Sequence, residues 1–186
     1  MSAPETASKP RSVYSFVWKF ISALILTGGL ILMSALASGG DLSAFARVVE
    51  GAHLHAPNLR AIAESSLATQ IHLSAAMTAF VIGLYQLLGP KGRTPHRLLG
   101  YIWLALMLTA AIPSFWLRGL NHGMFSFIHI LSGWTVVVAP MILYAARTKN
   151  IKRHRTMATS LFMGGLVVAG LFAFMPGRLL WHVFFG

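Results

Sequence analysis

Five stretches of the chain are apolar over the length a helix needs to cross a bilayer, about 20 residues: 14–37, 67–88, 98–117, 126–146 and 157–175. Short basic connections separate the last four. The pattern predicts an all-α membrane protein of five transmembrane helices, with helices two to five forming a four-helix bundle over residues 66–175. Residues 1–13 then form a cytoplasmic tail, 14–37 the first transmembrane helix, 38–65 an outer segment and 176–186 an outer C-terminal tail. Ala35-Leu36-Ala37 resembles a signal-peptidase site. The basic stretch ahead of the first apolar run is long for a signal peptide, however, and 14–37 is read as a membrane span.

The longest connection, 38–65, carries Leu42, Phe45, Val48, Val49 and Ala52 at near-helical spacing, with Arg47, Glu50 and His53 between them. That is the pattern of a helix lying in the membrane interface. Trp116 and Trp181 fall at the same face, where Trp commonly anchors a bundle.

Composition sharpens this picture. Hydrophobic residues make up 56% of the 186 and charged ones 10%, against about 25% charged in soluble domains. There are 15 Lys and Arg, 4 Asp and Glu, and a net charge of +11. The basic residues sit in clusters between apolar runs, which points to a lipid bilayer surface and away from nucleic acid. Counting them in the short flanks orients the chain. With the N-terminus in the cytoplasm, eleven of the fifteen lie inside, while Asp41, Glu50 and Glu64 lie outside. The expected topology is N-in, C-out. The chain has no cysteine, so disulfides, zinc–thiolate sites and iron–sulfur clusters are excluded. A metal would have to be held through histidine, of which there are eight.

Four of those histidines belong to an internal duplication. One half begins IHLSAAMT at Ile71 and the other IHILSGWT at Ile128; each starts with Ile-His, crosses an apolar span and a basic loop, and restarts with His-Arg. Within a half the histidines are 24 and 25 residues apart, and the halves are offset by 57 and 58. A repeated helical hairpin is thereby indicated. On the expected topology His72 and His129 meet near the outer face, and His96 and His154 near the inner face.

Two facing imidazoles suit the iron of a haem, whose flat apolar macrocycle is soluble in a bundle core. Such a plane needs room, and residue i+4 shares the helix face of residue i. After His72, His129, His96 and His154 these positions hold Ala76, Gly133, Gly100 and Ala158. Small residues also serve close helix packing in membranes. The histidines have an alternative of the same kind, as bundle side chains hydrogen-bonded to neighbouring helices. Arg97 and Arg155 inside, or Arg118 outside, could meet haem propionates.

Residues 71–175 resemble a family of small bacterial membrane proteins known as domain of unknown function 2306. The likeness rests on HRLLGYIW (96–103), Gly83, Gln86, Gly89-Pro90 and KRHRTM (152–157). It implies a multi-pass protein of the bacterial inner membrane and no particular activity. The four-histidine arrangement is also similar to that of b561-type cytochromes. That resemblance implies two haem b groups, one held by His72 with His129 and one by His96 with His154, and transmembrane electron transfer from a small reductant or a quinol.

Three functions compete. The first is a b-type cytochrome with one or two bis-histidine haems, passing electrons between a quinol or cytoplasmic donor and an outer acceptor or redox partner protein. The second is a haem-free membrane subunit or assembly partner, working in a larger complex or as a homodimer. The third, an ion-coupled transporter, is disfavoured because no Asp or Glu lies in any span. His53 and His55, with Glu50, could hold copper or zinc, but two loop histidines are more often simply solvated. No Ser-His-acid arrangement supports hydrolysis.

Overall fold

The computed structural model describes residues 17–18, 20–29, 42–116 and 127–185, and every regular element among them is helical. In chain order these are α1 (Phe20–Gly29), α2 (Leu42–Glu50), α3 (Leu59–Ala63), α4 (Leu67–Leu88), α5 (Thr94–Ser114), α6 (Phe127–Arg147), α7 (Ile151–Ala173) and α8 (Leu179–Phe184). Four of them, α4 to α7, are long and apolar enough to cross a membrane. Of the first expected span, α1 is helical, with Ala23 and Thr27 buried on one stripe. The rest of that span lies outside the described residues except for Val17 and Trp18.

α4 starts where the Ser66 hydroxyl accepts the amide of Thr69 at 3.2 Å, a local cap for an unpaired helical N–H. α5 and α7 begin earlier than hydropathy alone places them, at Thr94 and Ile151. The reason is local: Pro95 suits the first turn of a helix, and the Asn150 side chain caps α7 by accepting the Arg153 amide at 3.1 Å. Their first turns are therefore basic and polar, and His96 and His154 are helical residues. The connection between α4 and α5 turns through Gly92, whose φ of 79° suits a residue without a Cβ.

Each hairpin is antiparallel, and α4 to α7 close into a ring in which each packs on the next and α7 returns to α4. The centre is filled by Ala79, Met107, Ala139, Ile142, Leu161 and Phe162, all at most 2% exposed. Phe162 of α7 stacks on Phe80 of α4, with ring centroids 5.5 Å apart. Beside them Gly83 leaves the space that Phe162 and Trp103 occupy: a Cβ there would stand 2.6 Å from the Phe162 ring and 2.8 Å from Trp103 Nε1. Outward, Val81, Leu88, Ile130 and Val137 are each at least 60% exposed. Such an apolar outward face suits a lipid bilayer.

Within α7, residues Met163–Val168 form a wider π-helical turn. Such turns are rare and often mark functional regions. It faces α6, and its Gly164 admits the Trp134 ring of that helix; a Cβ would meet that ring at 3.0 Å.

The described part of 38–65 holds two short helices, α2 and α3, joined by residues 51–58, and α2 covers the run of near-helical spacing from Leu42 to Glu50. Nor is 176–186 a plain tail. α8 docks its C-terminal end on residues 55–58, its Val183 and Phe184 carbonyls accepting the Asn58 and His55 amides at 2.9 and 3.1 Å. Val183 is 1% exposed. Arg178, just ahead of α8, sits 4.4 Å from the centroid of the Phe172 ring, and burial lowers its guanidinium pKa.

Candidate functional site

α4 and α6 enter the bundle from the same end, and α5 and α7 from the other. Since α4 packs on α5 and α7, α6 stands diagonally across from it. His72 and His129 therefore occupy a diagonal pair of helices at the end where α4 and α6 begin. His96 and His154 occupy the other diagonal at the opposite end.

His72 is part-buried, and its Nδ1 lies 2.7 Å from the Ala110 carbonyl of α5. A carbonyl oxygen can only accept, so Nδ1 carries the hydrogen and Nε2 of the neutral ring keeps its lone pair. Metal-bound histidines typically have this arrangement, because the Nδ1 hydrogen bond fixes tautomer and ring orientation. His154 is held in the same way, with Nδ1 3.2 Å from the Ile142 carbonyl of α6. Each diagonal thus has one histidine tied to a neighbouring backbone.

The other two are placed differently. His129 is 4% exposed, and its ring lies 6.4 Å from that of Phe115, tilted by 52°. His96 is part-buried at the start of α5, and its carbonyl accepts from the Gln86 amide at 3.0 Å. His154 and Lys91 both lie within electrostatic reach of it.

The small residues one turn deeper separate the two ends. At Gly133, beside His129, a Cβ would meet nothing within 4 Å. At Gly100, beside His96, the space is taken: a Cβ would stand 3.3 Å from Gln86 Nε2. Ala76 and Ala158 are packed against the central core. Around His72 and His129 the neighbouring turns are also small, with Ala75, Ala110 and Ala111 all buried. The two ends thus differ at the glycine one turn beyond a histidine: Gly133 faces open space, whereas the place beside Gly100 is taken by the Gln86 side chain.

Sequence reasoning missed a set of buried hydroxyls at the His72/His129 end. Ser114 donates to the Ala111 carbonyl at 2.6 Å and is also hydrogen-bonded to Ser132 of α6. Thr135 turns back on the Leu131 carbonyl at 2.9 Å. The last turn of α5 is consequently a polar junction, with Ala110 accepting from α4 and Ser114 bonding to α6. Small hydroxyl residues inside apolar runs leave no trace in hydropathy. Nearer the other end, Trp103 Nε1 and Gln86 Oε1 are buried without a hydrogen-bond partner among the described residues.

Arg97 and Arg155 are exposed, adjoining His96 and His154 in sequence. Arg118 lies outside the described residues. His53 and His55 are exposed, and the His55 Nδ1 lies 2.7 Å from the Ala56 carbonyl. Among the described residues no group of three or more His, Asp or Glu side chains could hold a metal ion.

No curated protein and no solved structure matches the chain. Residues 69–168, a stretch that takes in all but the first two residues of α4, the whole of α5 and α6, most of α7 and all four paired histidines, match the family described as "Predicted membrane protein (DUF2306)". With its apolar helical bundle and that match over more than half its length, the chain belongs to the DUF2306 family of multi-pass membrane proteins.

Proposed function

We propose that the protein is a b-type cytochrome whose first haem is held between His72 and His129, and that it carries single electrons across the bacterial inner membrane. The observation that supports this most is the His72 Nδ1 bond to the Ala110 carbonyl, which sets the ligating tautomer beside a bundle interior lined with Ala and Gly. Bound there, haem iron would supply reversible one-electron redox chemistry.

The chain's own contribution is positional. The α5 carbonyl at Ala110 holds the His72 ring in one orientation, and α6 holds His129 buried at the far corner of the same diagonal. A Cβ at Gly133 would meet nothing within 4 Å, which favours a flat group beside His129, and the apolar belt of α4 to α7 would keep water from it. His96 and His154 would be the ligands of a second haem once Gln86 turns away from Gly100, with Arg97 and Arg155 near enough in sequence to meet its propionates. A quinol or a redox partner protein is the proposed donor. The orientation, N-in and C-out, rests on the distribution of Lys and Arg.

A second reading, a haem-free subunit or assembly partner acting in a larger complex or as a homodimer, is favoured by the packing of Ala76 and Ala158 and by Gln86 at Gly100, where small residues serve helix contact alone. Haem content of the purified protein, with and without His72→Ala, separates the two.

A further inference from the structure

No acidic residue follows Glu64 in the chain, so the entire α4–α7 bundle and α8 are free of carboxylate side chains. Within this stretch, eight Lys and Arg fall in two short segments, 91–97 and 147–155, and all eight are exposed. These segments are the two hairpin connections, and both lie at the end of the bundle where α4 and α6 finish. They share one electrostatic field: His96, on the first hairpin, is within reach of Lys91 from its own connection and His154 from the other. So many like charges without an acid between them repel one another, and an external anion relieves that repulsion.

Their surroundings indicate what kind of anion. Tyr85, Tyr101 and Tyr144 are each at least 49% exposed and stand within about two turns of this end, as in the aromatic girdle at a membrane–water boundary. The cations are therefore at headgroup height. Directly beside them Leu88, Leu98 and Ile151 are 74%, 60% and 64% exposed. A ligand with an anionic head and an apolar tail satisfies both surfaces, whereas a soluble anion satisfies only one.

We propose that the two hairpin connections together form a binding site for anionic phospholipid, with lipid phosphate bridging cations of both hairpins. The site is independent of haem. Basic surfaces between spanning helices bind such headgroups in membranes generally, with each added cation strengthening binding.

The test is a native mass-spectrometry titration of the purified full-length protein with phosphatidylglycerol, with phosphatidylcholine of the same acyl chains, and with inorganic phosphate. Phosphatidylglycerol should bind at least about tenfold more tightly than phosphatidylcholine, and phosphate alone should not compete at equal concentration. Lys91→Gln/Arg93→Gln and Lys149→Gln/Lys152→Gln should each weaken phosphatidylglycerol binding by about 30-fold at low salt, because two cations are lost in either case. Lys91→Arg/Lys149→Arg/Lys152→Arg keeps the charge and should bind as wild type. Equal affinity for the two lipids, displacement by phosphate alone, indifference to either double variant, or tighter binding of a polyglutamate peptide than of phosphatidylglycerol would overturn the proposal.

Discussion

His72 of α4 reaches across to α5 and donates through Nδ1 to the carbonyl of Ala110, 2.7 Å away. The contact ties the start of one spanning helix to the last turns of its neighbour and leaves the ring's other nitrogen as the acceptor. Four residues further on, Ser114 continues the same junction to Ser132 of α6. Three helices thus meet through polar side chains at the end of the bundle where the His72/His129 pair lies.

The Ser114–Ser132 bond should be measurable as a coupling. In a double-mutant cycle of Ser114→Ala and Ser132→Ala, the interaction energy should be about 0.6 kcal/mol, the usual size of an interhelical hydrogen bond in a membrane. Unfolding of the four variants in mixed micelles gives the value. Strict additivity would mean that the hydroxyls do not bind each other.

At the other side of the core, Trp103 is held for its shape. Its Nε1–H is buried without an acceptor among the described residues, so Trp103→Phe removes an unsatisfied donor and should cost less than about 1.5 kcal/mol. Trp103→Ala should cost about 3–5 kcal/mol through the cavity it leaves. Gly83→Ala, which drives a methyl into Trp103 and Phe162, should cost about 1–3 kcal/mol. Thermal denaturation in detergent ranks the three, and a Phe variant as damaged as the Ala variant would contradict this assignment.

α8 closes over residues 55–58 through Val183, which is 1% exposed. Val183→Ala should loosen that docking by about 2 kcal/mol. Limited proteolysis between residues 51 and 58 should then be at least about tenfold faster, while the spanning helices stay protected. Unchanged cleavage would mean that the two paired backbone bonds hold α8 without its side chain.

The absence of cysteine makes orientation directly testable. Single cysteines at Leu54 and Thr148, both exposed and at opposite ends of the bundle, can be challenged in intact cells with a membrane-impermeant maleimide. Leu54→Cys should label at once, and Thr148→Cys only after permeabilisation. The reverse pattern would invert the topology.

Hydropathy was enough to locate α4 to α7, because a spanning helix must be apolar over its whole length. It could not place the starts of α5 and α7, whose basic first turns are set by Pro95 and by the Asn150 cap. The duplication made the four histidines visible, and the helix order sets them on two diagonals. What occupies the space beside each was not legible: Gly133 and Gly100 are the same residue in sequence, yet one faces open space and the other the Gln86 amide. That difference depends on a side chain from a neighbouring helix. The docking of α8 on residues 55–58 is equally long-range, and nothing in 176–186 alone signals it.

The central claim is that His72 and His129 hold a haem. Its most direct test is a reduced-minus-oxidised visible spectrum of the purified protein, with haem quantified as the pyridine haemochrome. At least one haem b per chain is expected, with the haem of the His72/His129 pair lost in His72→Ala and in His129→Ala while any haem held by His96 and His154 remains. A wild-type protein purified from haem-replete cells without a Soret band would contradict the account.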